Sequence, residues 1–179
     1  VRSGERVYVG SIAAPPNRLL AALVRRRADL RGVRVVHALL LGDAPHTAPE
    51  MLDNFTAQCL FLGASTREPV LNNRAEFTPV FLHETWRLLA GKHAVDWALV
   101  QLTPPDRHGF CSTGPCGDLT VDAIRAARHV VAELNPNLPR THGDTLVHVD
   151  SLHAVVEVDD KVPELAPPPV TPAMRRISE

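Results

Sequence analysis

The chain has 179 residues, of which 45% are hydrophobic and 22% are charged, and its formal net charge is −1. This length supports one well-buried domain and is too short for two ordinary domains with a substantial interface. The near-neutral charge gives no basis for electrostatic capture of nucleic acid or of an anionic membrane, and we expect neither as a partner.

Three cysteines, Cys59, Cys111 and Cys116, make an odd count, and the first residues form no apolar leader segment. The sequence also has no apolar run of membrane-spanning length. These features predict a cytoplasmic protein with free thiols. Because the sequence starts at Val1 instead of Met, we expect a trimmed chain or a piece of a larger protein.

Apolar strands alternate with short helices along the chain. Strands are predicted at 6–11, 33–41, 58–62, 78–82, 95–103, 129–134 and 154–158. Helices are predicted at 17–28, 49–55, 84–90 and 120–128, with a further helix that begins at Ser65 or Thr66 and ends near Asn73. This alternation predicts an α/β fold with three layers, in which a mostly parallel sheet carries helices on both faces.

The composition changes near residue 165. Residues 166–172 read APPPVTP, a proline-rich stretch that cannot continue a sheet or a helix and that predicts a semi-rigid, extended linker. We therefore expect one α/β domain over residues 1–165, followed over residues 166–179 by a linker and the start of further structure.

The most informative stretch is TPPDRHGFCSTGPCGD, residues 103–118, at the end of the strand predicted at 95–103. Strand ends that feed polar, glycine-rich loops are where α/β proteins place their chemistry. Two other loops follow predicted strands in the same way, at 10–15 and 135–144. Because the carboxyl ends of parallel strands lie at one edge of a sheet, we expect the three loops to converge on one cleft.

Six segments, in order along the chain, resemble the N-terminal half of the acetyl-CoA hydrolase/transferase family. They are RVYVGS with its later proline, VVHALLLG, TPVFL, PPDRHGFCS, AELNPNLPRTHGD and VEVDDKVPEL, and the resemblance covers nearly the whole chain. It implies a CoA-transferase-like fold, a Rossmann-like half with mostly parallel strands. It also implies that residues 166–179 lead into a C-terminal half that this sequence does not include.

The family moves CoA between carboxylic acids through a glutamate of its C-terminal half, in a stretch that resembles HTEM. That carboxylate attacks the acyl-CoA carbonyl to give an acyl-glutamyl anhydride, and the released CoA thiolate then forms a glutamyl-CoA thioester. No such stretch occurs here, and we expect Glu84 of the similar-looking segment HET to be a solvated or salt-bridged helix residue.

The resemblance therefore implies no catalytic residue in this chain and a C-terminal half as its partner. It implies an acyl-CoA and a small carboxylic acid as substrates, with coenzyme A as the substrate thioester and no metal. The sequence does not identify the acid, and it does not distinguish transfer from hydrolysis.

The three loops are expected to supply substrate-binding residues of one cleft wall. The candidates are Gly10, Ser11, Pro105, Asp106, His108, Gly109, Asn135, Arg140 and Gly143. Asp106 suits a turn after Pro-Pro as well as a pocket, and His108 suits a substrate contact or a bond to a carbonyl. The Arg140 guanidinium could bind a carboxylate or a phosphate, or it could tie two loops together by pairing with Asp106 or Asp144.

The chain departs from the family at two places in this cleft. Ile12 stands where relatives carry a small residue or a cysteine, and TGPCGD at 113–118 replaces a Gly-Val-Ser-like run. We expect both changes to alter the walls or the floor of the cleft.

Two alternatives remain open. The chain could be a non-catalytic acyl-binding or scaffold module derived from this fold. The pattern H-x-D-x3-H-x-D at 142–150 also offers metal-ligand residue types for a metal-dependent hydrolase, although its spacing suits no familiar site.

An isolated half of a two-part enzyme would leave apolar surface uncovered. Residues with this potential are Ile12, Ala13, Ala14, Phe110 and the linker at 167–169. Because large apolar patches usually mark partner contacts, we expect a homo-oligomer or binding to the C-terminal half.

Overall fold

The computed structural model describes residues 1–91, 94–164 and 166–178. Nine strands form two sheets in this part of the chain. They are β1 (Arg6–Val9), β2 (Val33–His37), β3 (Phe55–Cys59), β4 (Ala75–Phe77), β5 (Trp97–Leu102), β6 (Phe110–Ser112), β7 (His129–Leu134), β8 (Leu146–His148) and β9 (Ala154–Glu157). Strands β6 and β8 make a small antiparallel pair, and the other seven form one sheet.

The large sheet is parallel throughout, with the order β4-β3-β2-β1-β5-β7-β9. The chain builds outward from β1 in one direction and then crosses back to build outward from β5 in the other. This reversal leaves a crevice at the carboxyl ends of β1 and β5, where ligands gather in open α/β sheets. The loops that follow these two strands therefore begin beside the crevice.

Helices cover both faces of the large sheet. They are α1 (Asn17–Arg25), α2 (Ala64–Leu71), α3 (Thr85–Ala90) and α4 (Thr120–Ala126), and a further helix, α5 (Pro172–Ser178), lies in the tail. Successive residues of a strand point to opposite faces. Tyr8 accordingly lies in a core that includes residues of α3 and α4, and its neighbours Val7 and Val9 lie in a core that includes residues of α1. The predicted three-layer α/β fold is confirmed.

The edge of the sheet at β4 differs from the prediction. The sequence predicts a strand at 78–82, but β4 is Ala75–Phe77, and its ladder with β3 ends where Cys59 faces Phe77. Pro79 has no N–H with which to extend that ladder. Leu82–Glu84 forms a single 3-10 turn that leads into α3.

Some helix boundaries also differ. The helix predicted at 49–55 is one 3-10 turn, Pro49–Met51. Helix α2 starts at Ala64, before Ser65 and Thr66, because the Thr66 hydroxyl accepts a hydrogen bond from the Gly63 N–H at 3.0 Å and so satisfies the helix start from inside. The pair of β6 and β8 was not predicted, since strands of three residues carry little periodic signal.

The tail after the domain is exposed. Residues 166–171 have no regular structure, and every residue of α5 is exposed. Leu165, at the predicted boundary, and Glu179 lie outside the described residues, so the division of the chain at 165 stays a prediction. Among residues 1–91, 94–164 and 166–178, no helix has the length and apolar character needed to cross a membrane.

Candidate functional site

The loop after β1 is fixed to the sheet through its backbone and one hydroxyl. The Gly10 N–H donates to the Leu99 carbonyl at 2.8 Å, and the buried Ser11 hydroxyl accepts from the Ala38 N–H at 3.1 Å. A Cβ built on Gly10 would lie 3.4 Å from the Ala14 carbonyl oxygen, so this position has little spare room. The Ser11 side chain thus stabilises the scaffold, and its contact with substrate stays a prediction.

Ile12 adopts a backbone conformation that β-branched residues rarely take, with a φ of +56°. It packs in a small apolar cluster with Ala14, Cys116 and Leu138. The Cys116 thiol also donates to the Ser11 carbonyl at 3.1 Å. The two departures from the family pattern therefore meet in one cluster. Ala14 is only 2% exposed because of this packing, so the expectation that it is uncovered is wrong.

The loop after β5 is organised as a turn around Asp106. One carboxylate oxygen, Oδ1, accepts hydrogen bonds from the His108 N–H at 2.8 Å and the Phe110 N–H at 3.0 Å. Gly109 has a φ of +82°, and a Cβ there would lie 2.6 Å from Nε2 of His148. The turn therefore requires glycine for its conformation and for its contact with β8.

Arg140 joins this turn to the loop after β7. Its Nη2 lies 2.6 Å from Oδ2 of Asp106, and its Nη1 donates to the Phe110 carbonyl at 3.0 Å. The Phe110 and His108 N–H groups, together with the Arg140 charge, lower the pKa of Asp106. Both side chains remain about one-third exposed. The structure therefore shows Arg140 tying the two loops together, with Asp106 as its partner. Binding of a substrate carboxylate or phosphate by Arg140 stays a prediction.

Asn135 is fully buried and is held entirely by the protein. Its amide nitrogen donates to the Gln101 side-chain oxygen at 3.2 Å and to the Asp160 carbonyl at 2.8 Å. Its side-chain oxygen accepts from the Asn137 N–H at 3.0 Å. These contacts shape the loop that carries Arg140, and a direct contact of Asn135 with substrate stays a prediction.

The remaining candidates lie on the surface of the same edge. The exposed His108 ring accepts a hydrogen bond at Nε2 from the Arg107 side chain at 3.0 Å. Gly143 has a φ of +102° with open space where a Cβ would stand. Pro105 lines a cavity of about 280 Å³ whose walls also include Leu134 and Val158. Their contacts with substrate stay predictions.

The three loops contact one another at the same edge of the sheet, and their convergence on one cleft stays a prediction. The loops after β5 and β7 are joined directly by the ion pair of Asp106 and Arg140. The loop after β1 reaches the loop after β7 through the apolar cluster that contains Ala14 and Leu138. The Cys116 thiol also donates to the Ser11 carbonyl at 3.1 Å, so the first loop contacts the stretch at 103–118 as well.

A buried carboxylate that the sequence analysis did not assign to the site supports this edge. Glu133 is fully buried, and its oxygens accept from the Leu19 N–H at 2.7 Å and from the Gln101 amide at 3.0 Å. Burial raises the pKa of Glu133, while these hydrogen bonds oppose the rise. Glu133 thereby anchors the start of α1, which fixes the loop before it. The sequence feature that could have indicated this role is the single acidic residue inside the otherwise mostly apolar strand HVVAEL.

The structure also bears on the role of Glu84 and on the metal-like pattern at 142–150. The Glu84 carboxylate lies 3.4 Å from the Arg87 guanidinium, as expected for a salt-bridged residue next to a helix. In the metal-like pattern, His148 contacts Asp150 with 3.3 Å between Nδ1 and Oδ2. Across the part of the chain that the structure describes, no three His, Cys, Asp or Glu side chains group as a metal ion would require.

The order of the parallel sheet and the loops at its carboxyl edge define a doubly wound α/β domain. The sequence model of the acetyl-CoA hydrolase/transferase N-terminal domain matches residues 1–167. The chain therefore belongs to the acetyl-CoA hydrolase/transferase family.

Similar proteins agree with this assignment. The chain is 35% identical to a 4-hydroxybutyrate coenzyme A transferase from Clostridium kluyveri, an alignment that covers 100% of this chain and 42% of the relative. It is 34% identical to a succinyl-CoA:acetate/propanoyl-CoA:succinate CoA transferase from Fasciola hepatica, with 100% and 38% covered. The chain thus spans about two-fifths of the length of these relatives.

Solved structures share the fold. The crystal structure of RipA from Yersinia pestis matches with a TM-score of 0.87 and 25% identity, over 96% of this chain and 43% of that one. A 4-hydroxybutyrate CoA-transferase from Porphyromonas gingivalis matches with a TM-score of 0.73 and 32% identity, over 92% of this chain and 38% of that one.

Proposed function

We propose that this chain is the N-terminal half of a CoA-transferase or acyl-CoA hydrolase and forms one wall of the cleft in which CoA moves between carboxylic acids. Family membership and the CoA-transferase names of its relatives support this proposal. The observation that carries it is the contact of three loops at the carboxyl edge of the sheet, two of them joined by Asp106 and Arg140 and the third packed on them through Ala14.

The proposed reaction uses a glutamate of the C-terminal half as the nucleophile. Its carboxylate attacks the acyl-CoA thioester carbonyl, the C–S bond breaks, and CoA leaves as a thiolate from the acyl-glutamyl anhydride. The thiolate then attacks the glutamyl carbonyl and releases the acyl group as a free carboxylate, which leaves a glutamyl-CoA thioester. An incoming acid reverses these steps in transfer, and water takes its place in hydrolysis.

In this scheme the N-terminal half positions substrates and supplies no nucleophile. The Arg140 guanidinium is one-third exposed beside Asp106 and carries the positive charge that a substrate carboxylate or a CoA phosphate would approach. Gly143 leaves its backbone uncovered by any side chain, so a ligand can approach it closely. Buried contacts of Asn135 and Glu133 hold these loops in place before a ligand arrives.

An exposed apolar surface supports the proposal that a partner half binds this chain. Its members, all exposed by 45% or more, are Phe61, Phe77, Phe81, Leu82 and Trp86. Several of them line an apolar cavity of about 510 Å³ beyond the ends of β3 and β4. Exposed apolar surface of this kind usually marks a contact with another chain or domain. We propose that the C-terminal half covers it.

The test compares the chain alone with the chain supplied with the C-terminal remainder of the Clostridium kluyveri relative, either added separately or fused. Acetyl-CoA and succinate are provided, and acyl exchange and protein mass are followed. We expect no exchange by the chain alone, and we expect exchange with a protein–CoA adduct on the added remainder. Turnover by the chain alone, with the adduct on Glu84 or Glu133, would contradict the proposal. Binding of acetyl-CoA without exchange in either arm would favour a non-catalytic module.

A further inference from the structure

Gln101 lies at the centre of a buried chain of hydrogen bonds on one face of the large sheet. It pairs in β5 with Glu133 of β7, and only 5% of its surface is exposed. Its amide nitrogen donates to Oε2 of Glu133 at 3.0 Å and to the Pro15 carbonyl at 3.4 Å. Its amide oxygen accepts from the Asn135 amide nitrogen at 3.2 Å. Gln101 therefore contacts groups that belong to the loop after β1 and to the loop after β7.

Backbone groups fix the direction of each bond in this chain. The Asp160 carbonyl can only accept and the Asn137 N–H can only donate, so Asn135 turns its amide nitrogen to the first and its oxygen to the second. The same nitrogen faces Gln101, which must present its own amide oxygen. The Gln101 nitrogen is then left to donate to Glu133. Position 101 therefore needs one side chain that donates in one direction and accepts in the other, which a glutamine amide does.

The hydrogen bonds close into a ring at the start of α1. Glu133 accepts from the Leu19 N–H at 2.7 Å. The preceding residue, Arg18, donates twice to the Asp160 carboxylate, at 2.9 and 2.7 Å. This ion pair lies at the surface, with 59% of the Arg18 side chain exposed, and such pairs contribute little by themselves. The buried bonds through Gln101 therefore carry the connection between α1, the loop after β7 and the segment after β9.

We propose that Gln101 is a positioning residue that couples the loop after β1 to the loop after β7 and so sets the spacing of the proposed cleft wall. A shift of the α1 start passes through Glu133 and Gln101 to Asn135, and from there to the loop that carries Arg140. This coupling depends on the direction of each hydrogen bond and not on side-chain volume. The role of the two loops rests on the proposed function, whereas the coupling itself does not.

Swapping the two side chains tests the direction of the bonds, because glutamate and glutamine have nearly the same volume. Gln101→Glu sets two carboxylates against each other. Glu133→Gln sets two donors against each other, either at Gln101 or at the Leu19 N–H. In the double variant, the introduced glutamine donates to the introduced glutamate, which also accepts from Asn135, and the glutamine oxygen accepts from the Leu19 N–H. The double variant therefore restores the ring with one bond reversed.

Hydrogen exchange of the 179-residue chain, resolved by residue with NMR, is read at the N–H groups of Leu19 and Asn137, the two ends of the buried chain. Rates are compared with those of β1, so that a general loss of stability is not mistaken for a local effect. We expect each single variant to raise both rates about tenfold, and the double variant to return them to within about threefold of wild type. Gln58→Glu is the matched control, the same replacement at a buried glutamine of β3 outside the ring, and it should change neither rate.

Wild-type rates at both N–H groups in the single variants, or a double variant as fast as the faster single variant, would overturn the proposal. If the single variants do not fold, a double variant that folds supports the ring and one that does not fold overturns it. Acyl transfer by the chain assembled with a C-terminal half should follow the same pattern of loss and rescue. Absence of acyl transfer in every form, wild type included, would count against the proposed function, and hydrogen exchange would still decide the role of Gln101.

Discussion

Replacing Gly109 by alanine tests the close contact that holds the turn after β5. At a φ of +82°, alanine costs about 1–2 kcal/mol in backbone conformation. Its Cβ would also lie 2.6 Å from Nε2 of His148. The ring would have to move, losing its contact with the Asp150 N–H at 3.3 Å and its packing on Phe110, at about 1 kcal/mol more. We expect a total loss of about 2–3 kcal/mol in the free energy of unfolding.

Urea denaturation followed by circular dichroism measures this loss. Gly4→Ala is the matched control, because Gly4 has a φ of +79° with open space where its Cβ would stand, so only the backbone cost applies. His148→Ala should remove the extra penalty, so that Gly109→Ala in that background costs about as much as Gly4→Ala. Equal losses for Gly109→Ala and Gly4→Ala in the wild-type background would refute the proposed role of His148.

Three further predictions concern ionisable groups. Because the pKa of Asp106 is lowered, its stabilising contribution should be present above the ordinary pKa of the group and lost as pH falls through the lower folded value, and Asp106→Asn should weaken this acid dependence in unfolding curves. Burial lowers the pKa of His37 to about 4 and that of the adjacent His46 in the same direction, so stability should fall as pH drops from about 6.5 toward 4. Glu133→Ala should cost about 3 kcal/mol, measured by urea denaturation, because it leaves the Leu19 N–H and the Gln101 amide without their acceptor.

Each of these predictions has a contradicting outcome. Identical pH–stability curves for wild type and Asp106→Asn would show that the turn does not depend on that charge. Unchanged stability of the wild-type chain between pH 6.5 and 4 would contradict the burial of His37 and His46 as neutral rings. A loss below about 1 kcal/mol for Glu133→Ala would mean that water replaces the carboxylate.

Parts of the fold were predictable because the sequence pattern and the burial agree. His129–Leu134 is predicted with the right bounds, since four of its six residues are apolar and the sheet buries most of the strand. The run at 78–82 also contains β-forming residues, but Pro79 cannot extend the ladder with β3, which has already ended at Phe77. Intrinsic preference does not tell where a partner strand stops, and that limit decided this error.

The site shows the same division. Contact of the loops at one edge followed from parallel strands, whose carboxyl ends share that edge. The partner of Arg140 could not be chosen between Asp106 and Asp144, because that choice depends on how two loops fold toward each other across 34 residues of sequence separation. Glu133 was not assigned because its role lies in the backbone N–H of Leu19, which belongs to a helix 114 residues away in sequence.

The packing of the cysteines has a consequence for the chemistry proposed beside them. All three thiols are free and buried, and burial raises the pKa of Cys59 and of Cys116 to about 11. At pH 7 a thiol with that pKa is ionised in about one molecule in ten thousand. Only thiolates exchange with disulfides or compete for acyl groups. Burial therefore keeps Cys116 as the unreactive thiol at the edge of the sheet where we propose that CoA is handled, so this cysteine should neither capture an acyl group nor form a mixed disulfide there.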